Sequence, residues 1–198
     1  MSWKRVETVA AVVRKVAPTS AVTVEPGGQI ELSGRPAAGI SAAVARLRYE
    51  STGARLALAD QRLGLAYAGA DPARPSVRVN PRPRYLAMEQ HFAATGRAAA
   101  GRVMMNSTAA LQVNLQAGPR VQWRERVARA YRLGPTLVAI AASSPWLHAR
   151  DSGWKSVRQR AWSTCPGSAA PAARSPPARA RCCWSMSPPW SPAWTSPT

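Results

Sequence analysis

The stretch Val24-Glu25-Pro26-Gly27-Gly28-Gln29-Ile30-Glu31-Leu32-Ser33-Gly34 decides how the rest of this chain is read. Side chains alternate faces along an extended strand, so Glu25, Gln29 and Glu31 share a parity, while Ile30 and Leu32 take the other face as anchors. Pro26-Gly27-Gly28 interrupts the strand where the backbone turns tightly or approaches another group closely, because proline fixes φ and glycine has no Cβ. Two carboxylates and an amide oxygen facing one space suit a hard cation such as Mg2+, which keeps several waters and shares its remaining positions with phosphate oxygens. A hairpin turn with a solvated acidic face is the alternative reading of the same residues.

Outward from this stretch, residues Ser2 to Val16 place Val6, Val9, Val13 and Val16 at helical spacing, with Lys4, Arg5, Arg14 and Lys15 around them. Pro18-Thr19-Ser20 ends that helix, and Val22 to Leu32 has the β-branched enrichment of a strand. Ile40, Val44 and Leu47 predict a helix capped near Ser41, and a separate helix is expected over Thr52 to Leu63, stopped by Gly64. A loop with four prolines, Pro72 to Pro83, leads into Arg82 to Phe92, where Tyr85, Met88 and Phe92 share a helical face.

Within Gly101 to Leu115, the run Leu111-Gln112-Val113-Asn114-Leu115 alternates aliphatic and carboxamide side chains. This predicts a strand whose amides face a cavity, and carboxamides can donate to a carboxylate and accept from an ammonium. An edge strand with one wet face is the alternative. Arg120 to Leu133 is expected to be a helix and Gly134-Pro135 to end it. The apolar run Thr136 to Ala142 is expected to be a second, buried helix. In Arg150 to Trp162, a guanidinium among tryptophans would clamp a carboxylate or phosphate, and Arg158 is the first choice for that role.

Three segments resemble the glutamate-cysteine ligases of the plant and actinobacterial type, relatives of glutamine synthetase. They are Glu25-Pro-Gly-Gly-Gln29-Ile-Glu31-Leu-Ser-Gly34, the Met104-Met105 to Gln112-Val113-Asn114 segment, and Ser144-Pro145-Trp146 with Arg150 to Trp162. The resemblance covers roughly Thr23 to Trp162. It implies an α+β fold with an antiparallel sheet flanked by helices, incomplete here, and a partial catalytic domain over residues 1–162. It also implies ATP and Mg2+ as cofactors, with L-glutamate and L-cysteine joined to γ-glutamylcysteine, in actinobacteria for ergothioneine synthesis. Glu25, Gln29 and Glu31 are then expected at the metal, Arg84, Gln112 and Asn114 at substrate and nucleotide, and Arg158 as a catalytic anion clamp. Another carboxylate-amine ligase of the superfamily, an inactive, partly folded fragment and a basic nucleic-acid-binding protein are alternative readings.

The chain has 198 residues and a formal charge of +18. Its arginines are scattered among Ala and Pro without a dense run or an aromatic ladder, which argues against nucleic acid as the partner. No stretch has the apolar length of a membrane span, so a cytoplasmic protein is expected. Cys165, Cys182 and Cys183 have neither CxxC spacing nor a neighbouring His, which speaks against a zinc site or a disulfide framework. From Ser163 to Thr198 the chain lacks Leu, Ile, Val, Phe, Tyr and every acidic residue. Such a segment cannot build an apolar face, so disorder is expected there. Its alphabet is that of GC-rich DNA read out of frame, and the other two frames are expected to restore a family-like sequence. A first metal-binding strand and the closing parts of the catalytic domain are also expected to be missing.

Overall fold

A computed structural model describes residues 1–164. The expectations for residues 165–198, including the three cysteines, lie outside the described residues. The fold is mixed: six α-helices and two separate two-stranded antiparallel sheets among the described residues.

Helix α1 (Trp3–Val16) starts at Ser2, whose Oγ accepts from the Arg5 N–H, and ends with Arg14 and Lys15 at the negative end of its dipole. It buries Val6, Val9, Ala10 and Val13 along one stripe. Strands β1 (Ser20–Val24) and β2 (Ile30–Gly34) form an antiparallel hairpin in the register Thr23↔Glu31 and Val24↔Ile30. One core joins Val9, Val13 and Ala17 to Val22 of the hairpin and to Ala54 and Leu58 of α2 (Ile40–Ala59). A second joins Val6, Ala10 and Val24 to Trp3 and Val79.

Helix α2 is continuous, and its N-cap is Gly39, not Ser41. The break expected near Thr52 does not occur. Gly53 lies within the helix where it faces α1, a Cβ there making ordinary contact 3.4 Å from the Val16 carbonyl oxygen. The helix is anchored to the α1–β1 turn by Glu50, which is 1% exposed. Its carboxylate accepts from the Thr19 N–H (2.9 Å), the Thr19 hydroxyl (2.6 Å) and the Ser20 hydroxyl. Burial alone would raise the Glu50 pKa; these donors and the Arg46 charge outweigh it and hold the carboxyl below its ordinary value.

The hairpin tip is tied to the loop ahead of α3 (Pro83–Ala94). Val79 and Asn80 both donate backbone N–H groups to the Pro26 carbonyl, at 2.8 and 2.9 Å. The fully buried Asn80 adds an Nδ2 bond to the Val24 carbonyl (2.8 Å) and accepts from the Arg82 N–H (3.2 Å). Asn80→Ala is expected to cost about 2–3 kcal/mol, because it strands buried groups as well as losing their bonds. A lowered urea midpoint at unchanged slope would show it.

Helices α3 and α4 (Ala98–Ser107) close a third core of Tyr85, Phe92 and Met105. Gly101 is obligatory at their crossing, where a Cβ would overlap the Phe92 ring. The short strands β3 (Trp146–Leu147) and β4 (Arg150–Asp151) turn through His148 and Ala149, both left-handed at φ 52° and 60°. That turn is held by the Ala149 N–H to the Pro72 carbonyl (2.7 Å) and by a chain His148 Nε2, Ser76 Oγ, Ser107 Oγ at 2.8 and 2.5 Å. Helix α6 (Val157–Ser163) then packs on α4.

Two further expectations are corrected. Residues 109–119 form no strand, since among the described residues no segment pairs with them to complete a ladder. Gly134-Pro135 does not end a helix: α5 (Trp123–Ala141), entered through the 3-10 turn Arg120–Gln122, runs straight through both. Proline costs one hydrogen bond there without a break. No residue of α5 is buried, so the expected buried helix is an exposed one. Among the described residues no helix is long and apolar enough to cross a membrane.

Candidate functional site

Directly opposed residues of an antiparallel pair share a face, so the register puts Thr23, Glu31, Glu25 and Gln29 on one side of the hairpin and Val22, Val24, Ile30 and Leu32 on the other. The Glu25 N–H donates to the Gln29 carbonyl at 2.8 Å and closes a three-residue loop, Pro26-Gly27-Gly28. Gly28 takes φ 91°, a conformation other residues adopt at a cost. Thr23 Oγ1 donates to Glu31 Oε2 at 2.8 Å and fixes that carboxylate.

The loop sits against the C-terminal end of α4. A Cβ on Gly27 would overlap the Asn106 carbonyl oxygen and lie 2.7 and 2.8 Å from Asn106 C and Cα. Gln29 Nε2 donates to the Thr108 carbonyl (2.9 Å) and the Met105 carbonyl (3.4 Å), serving acceptors that a helix end leaves free. With its nitrogen so engaged, the amide turns Oε1 the other way, and that buried oxygen has no partner. Neither side-chain polar atom of Asn106 has one either.

Arg84 and Tyr85, from the first turn of α3, complete this neighbourhood. Pro83 at the helix start presets the backbone for that turn. The Arg84 guanidinium lies 4.6 Å from the Tyr85 ring centre. Burial raises the Glu25 pKa, the Glu31 charge raises it further, and Arg84 opposes both. Burial, then the Glu25 charge, also raises Tyr85. The hairpin face is therefore short of positive charge at Glu25.

Arg158 lies in the first turn of α6, which Ser156 caps by accepting from the Gln159 N–H at 3.2 Å. Arg158 Nε donates to the Ala109 carbonyl (3.0 Å), and its guanidinium lies 5.6 Å from the Trp162 ring centre. Burial lowers its pKa. Gln29 and Arg158 thus grip the carbonyls of successive residues, Thr108 and Ala109, which brings α6 and the hairpin to the same short segment. Gln112 and Asn114 are not brought in with them. Both are exposed, as are Leu111 (77%), Val113 (69%) and Leu115 (79%).

Among the described residues no group of three or more His, Cys, Asp or Glu could hold a metal ion. The hairpin face offers two carboxylates and one amide oxygen. A cleft of about 710 Å³ between α1 and α2, lined by Lys15, Arg48, Tyr49 and Leu56 among others, touches none of these residues.

The family model for glutamate-cysteine ligase family 2 (GCS2) matches residues 1–181. The chain belongs to this family. It is 52% identical over 161 residues to glutamate–cysteine ligase EgtA of Mycobacterium tuberculosis, covering 81% of this chain and 37% of that protein. Its identity to EgtA of Mycolicibacterium smegmatis is also 52%, over 81% of this chain and 38% of the relative. The chloroplastic glutamate–cysteine ligase of Arabidopsis thaliana is 25% identical over 81% of this chain and 31% of its own length. The chain therefore spans less than two fifths of the length of these relatives. Of the residues at the hairpin joint, Asn106 escapes sequence reasoning: the partner of its backbone, Gly27, lies far away along the chain, and no local pattern marks it.

Proposed function

We propose that residues 1–162 are the part of a glutamine-synthetase-like ligase domain that gathers Mg2+ and ATP for joining L-glutamate to L-cysteine. The observation that carries this reading is the identity of 52% over 161 residues to the EgtA ligases, beside a family match over residues 1–181 that takes in the hairpin face. The donor set suits the cation: two carboxylates and an oriented, unpartnered amide oxygen are hard oxygen ligands, and the Glu25–Glu31 repulsion is relieved by positive charge. Glu25, Gln29 Oε1 and Glu31 would hold Mg2+, which supplies charge neutralisation for the phosphates.

In this reaction a glutamate γ-carboxylate oxygen takes the γ-phosphoryl group of ATP, and ADP leaves. The cysteine amine then attacks the acyl carbon, loses a proton and displaces phosphate, giving γ-glutamylcysteine. Position and charge carry such a transfer, and no protein nucleophile is needed. Arg158, with its terminal nitrogens free of acceptors among the described residues, serves the transferring phosphoryl group. Arg84 serves the substrate carboxylate, and Gln112 and Asn114 complete the substrate and nucleotide pocket when their segment pairs. The product belongs to ergothioneine synthesis in the cytoplasm.

Mg·ATP titrated into the full chain is expected to bind, and the Glu25→Gln, Glu31→Gln double variant to bind at least about 10-fold more weakly, one lost charge contact being worth about 1.4 kcal/mol or more. Equal binding by both proteins would overturn the assignment. ADP release that requires both amino acids separates a working ligase from a second reading, a nucleotide-binding fragment without turnover. The exposed apolar side chains of α5, Val127, Leu137 and Ile140 among them, favour that second reading.

A further inference from the structure

Asn106 presents an unusual combination. It is 7% exposed, it closes the last turn of α4 against the hairpin tip, and both of its side-chain polar atoms are buried without partners. Native folds rarely leave a buried carboxamide wholly unserved, and each such group calls for an explanation. An apolar residue of similar size would avoid the cost altogether. The third buried, unpartnered side-chain atom among the described residues, Gln29 Oε1, belongs to the residue whose Nε2 bonds the carbonyls on either side of Asn106 in sequence, Met105 and Thr108. All three such atoms among the described residues therefore belong to side chains of one joint. Glu25 and Glu31 stand on the same hairpin face as Gln29.

We propose that Asn106 is a ligand-contacting residue of the hairpin site, whose carboxamide receives the hydration shell of the divalent cation and the anionic oxygen that shares that cation. The proposal rests on the reading of Glu25, Gln29 and Glu31 as the cation's holders and adds to it a residue that reading does not include. The complementarity is one of donors and acceptors. A hydrated hard cation offers water O–H donors, which Oδ1 accepts, and its phosphate or carboxylate co-ligand offers an acceptor for Nδ2. In the free chain these atoms are covered, so the hairpin tip must lift from α4 to admit the ligand. Gly27, which has no side chain wedged into the joint, and Gly28, in its left-handed conformation, lie where that movement would occur. Unserved polar atoms at the joint make its opening cheaper than that of a fully bonded contact.

Two substitutions in the full chain test this, with Mn2+ and ADP as the probe, binding followed by Mn2+ electron paramagnetic resonance and stability by thermal unfolding. Asn106→Leu removes both orphans. It is expected to raise the metal-free Tm by about 2–6 °C while weakening Mn2+ binding about 10-fold or more. Asn106→Asp keeps the acceptor and is expected to lower the metal-free Tm, retain Mn2+ affinity within about threefold, and regain stability as Mn2+ is added. A leucine variant that binds Mn2+ like the wild type overturns the proposal. So does a leucine variant less stable than the wild type without metal, because the amide would then be serving the fold. Wild-type chain that binds no Mn2+ overturns this proposal and the hairpin reading together, whereas wild-type binding that survives in Asn106→Leu but fails in Glu25→Gln rejects this one alone.

Discussion

Gly27→Ala is expected to separate the hairpin from α4 and to cost about 3 kcal/mol or more, at the upper end of overpacking effects. The added methyl would meet the carbonyl oxygen, carbon and Cα of Asn106, all of them backbone, so no side-chain rotation relieves the clash. Opening the joint also releases the Gln29 bonds to Met105 and Thr108, and with them the orientation of the amide. A joint that lifts transiently can close again over its ligand, whereas one wedged open by the added methyl cannot, so binding of Mg·ATP should fall together with stability. Gly28→Ala is the control at the neighbouring position. Its Cβ would meet only Val6 side-chain atoms, at 3.4 and 3.9 Å, and Val79 Cβ at 3.9 Å, so its cost is that of the left-handed backbone, about 1–2 kcal/mol. Urea unfolding of the two variants compares them directly, and an alanine at 27 tolerated as well as one at 28 would show that the joint is not tightly closed.

Glu50→Ala is expected to destabilise the chain by about 3 kcal/mol, because it removes the buried carboxylate's three charge-assisted bonds from Thr19 and Ser20 at the seam between α2 and the α1–β1 turn. For a chain of this size the loss corresponds to a fall in Tm of about 10 °C. The carboxylate also imposes a pH dependence. Its folded pKa is depressed below the ordinary value of 4.5, so the unfolded chain takes up the proton first as pH falls. The stabilisation is complete above that ordinary value, declines below it, and is gone once the folded carboxyl is itself protonated. Glu50→Gln should flatten the part of the stability profile below pH 4.5, and identical wild-type and variant profiles there would remove Glu50 from the account.

Some of this organisation is legible in the residues. The period of two across Glu25 to Glu31 is enough to place Glu25, Gln29 and Glu31 on one face, because the parity of an extended chain does not depend on its surroundings. The valines of α1 are equally plain, since their spacing is itself the helix stripe. Signals that depend on a neighbour mislead. Gln112 and Asn114 alternate with aliphatic residues as strand residues do, yet alternation becomes a strand only where another strand supplies a ladder. Gly134 and Pro135 read as punctuation. At Pro135 the helix instead absorbs one missing N–H and runs on. Arg158 is visible as a guanidinium among tryptophans, whereas its hold on the Ala109 carbonyl is set by a fold that joins distant segments. Asn106 lacks even that much, because nothing in its own sequence distinguishes a buried, unserved amide from an ordinary helix residue.

The layer built from α1, the hairpin and α2 also has a consequence for how the chain emerges from the ribosome. The buried residues of its main core, Val9, Val13, Ala17, Val22, Ala54 and Leu58, all lie within residues 3–59, so this core can consolidate as soon as that length is outside the exit tunnel. The far side of the hairpin tip is different, because Gln29 waits for Thr108, 79 residues later. At bacterial and eukaryotic synthesis rates that is an interval of roughly 4–16 s during which the acidic face stands on a finished layer with its amide unengaged. The segment that gathers the chemistry is thus among the first to be translated and among the last to be locked in place.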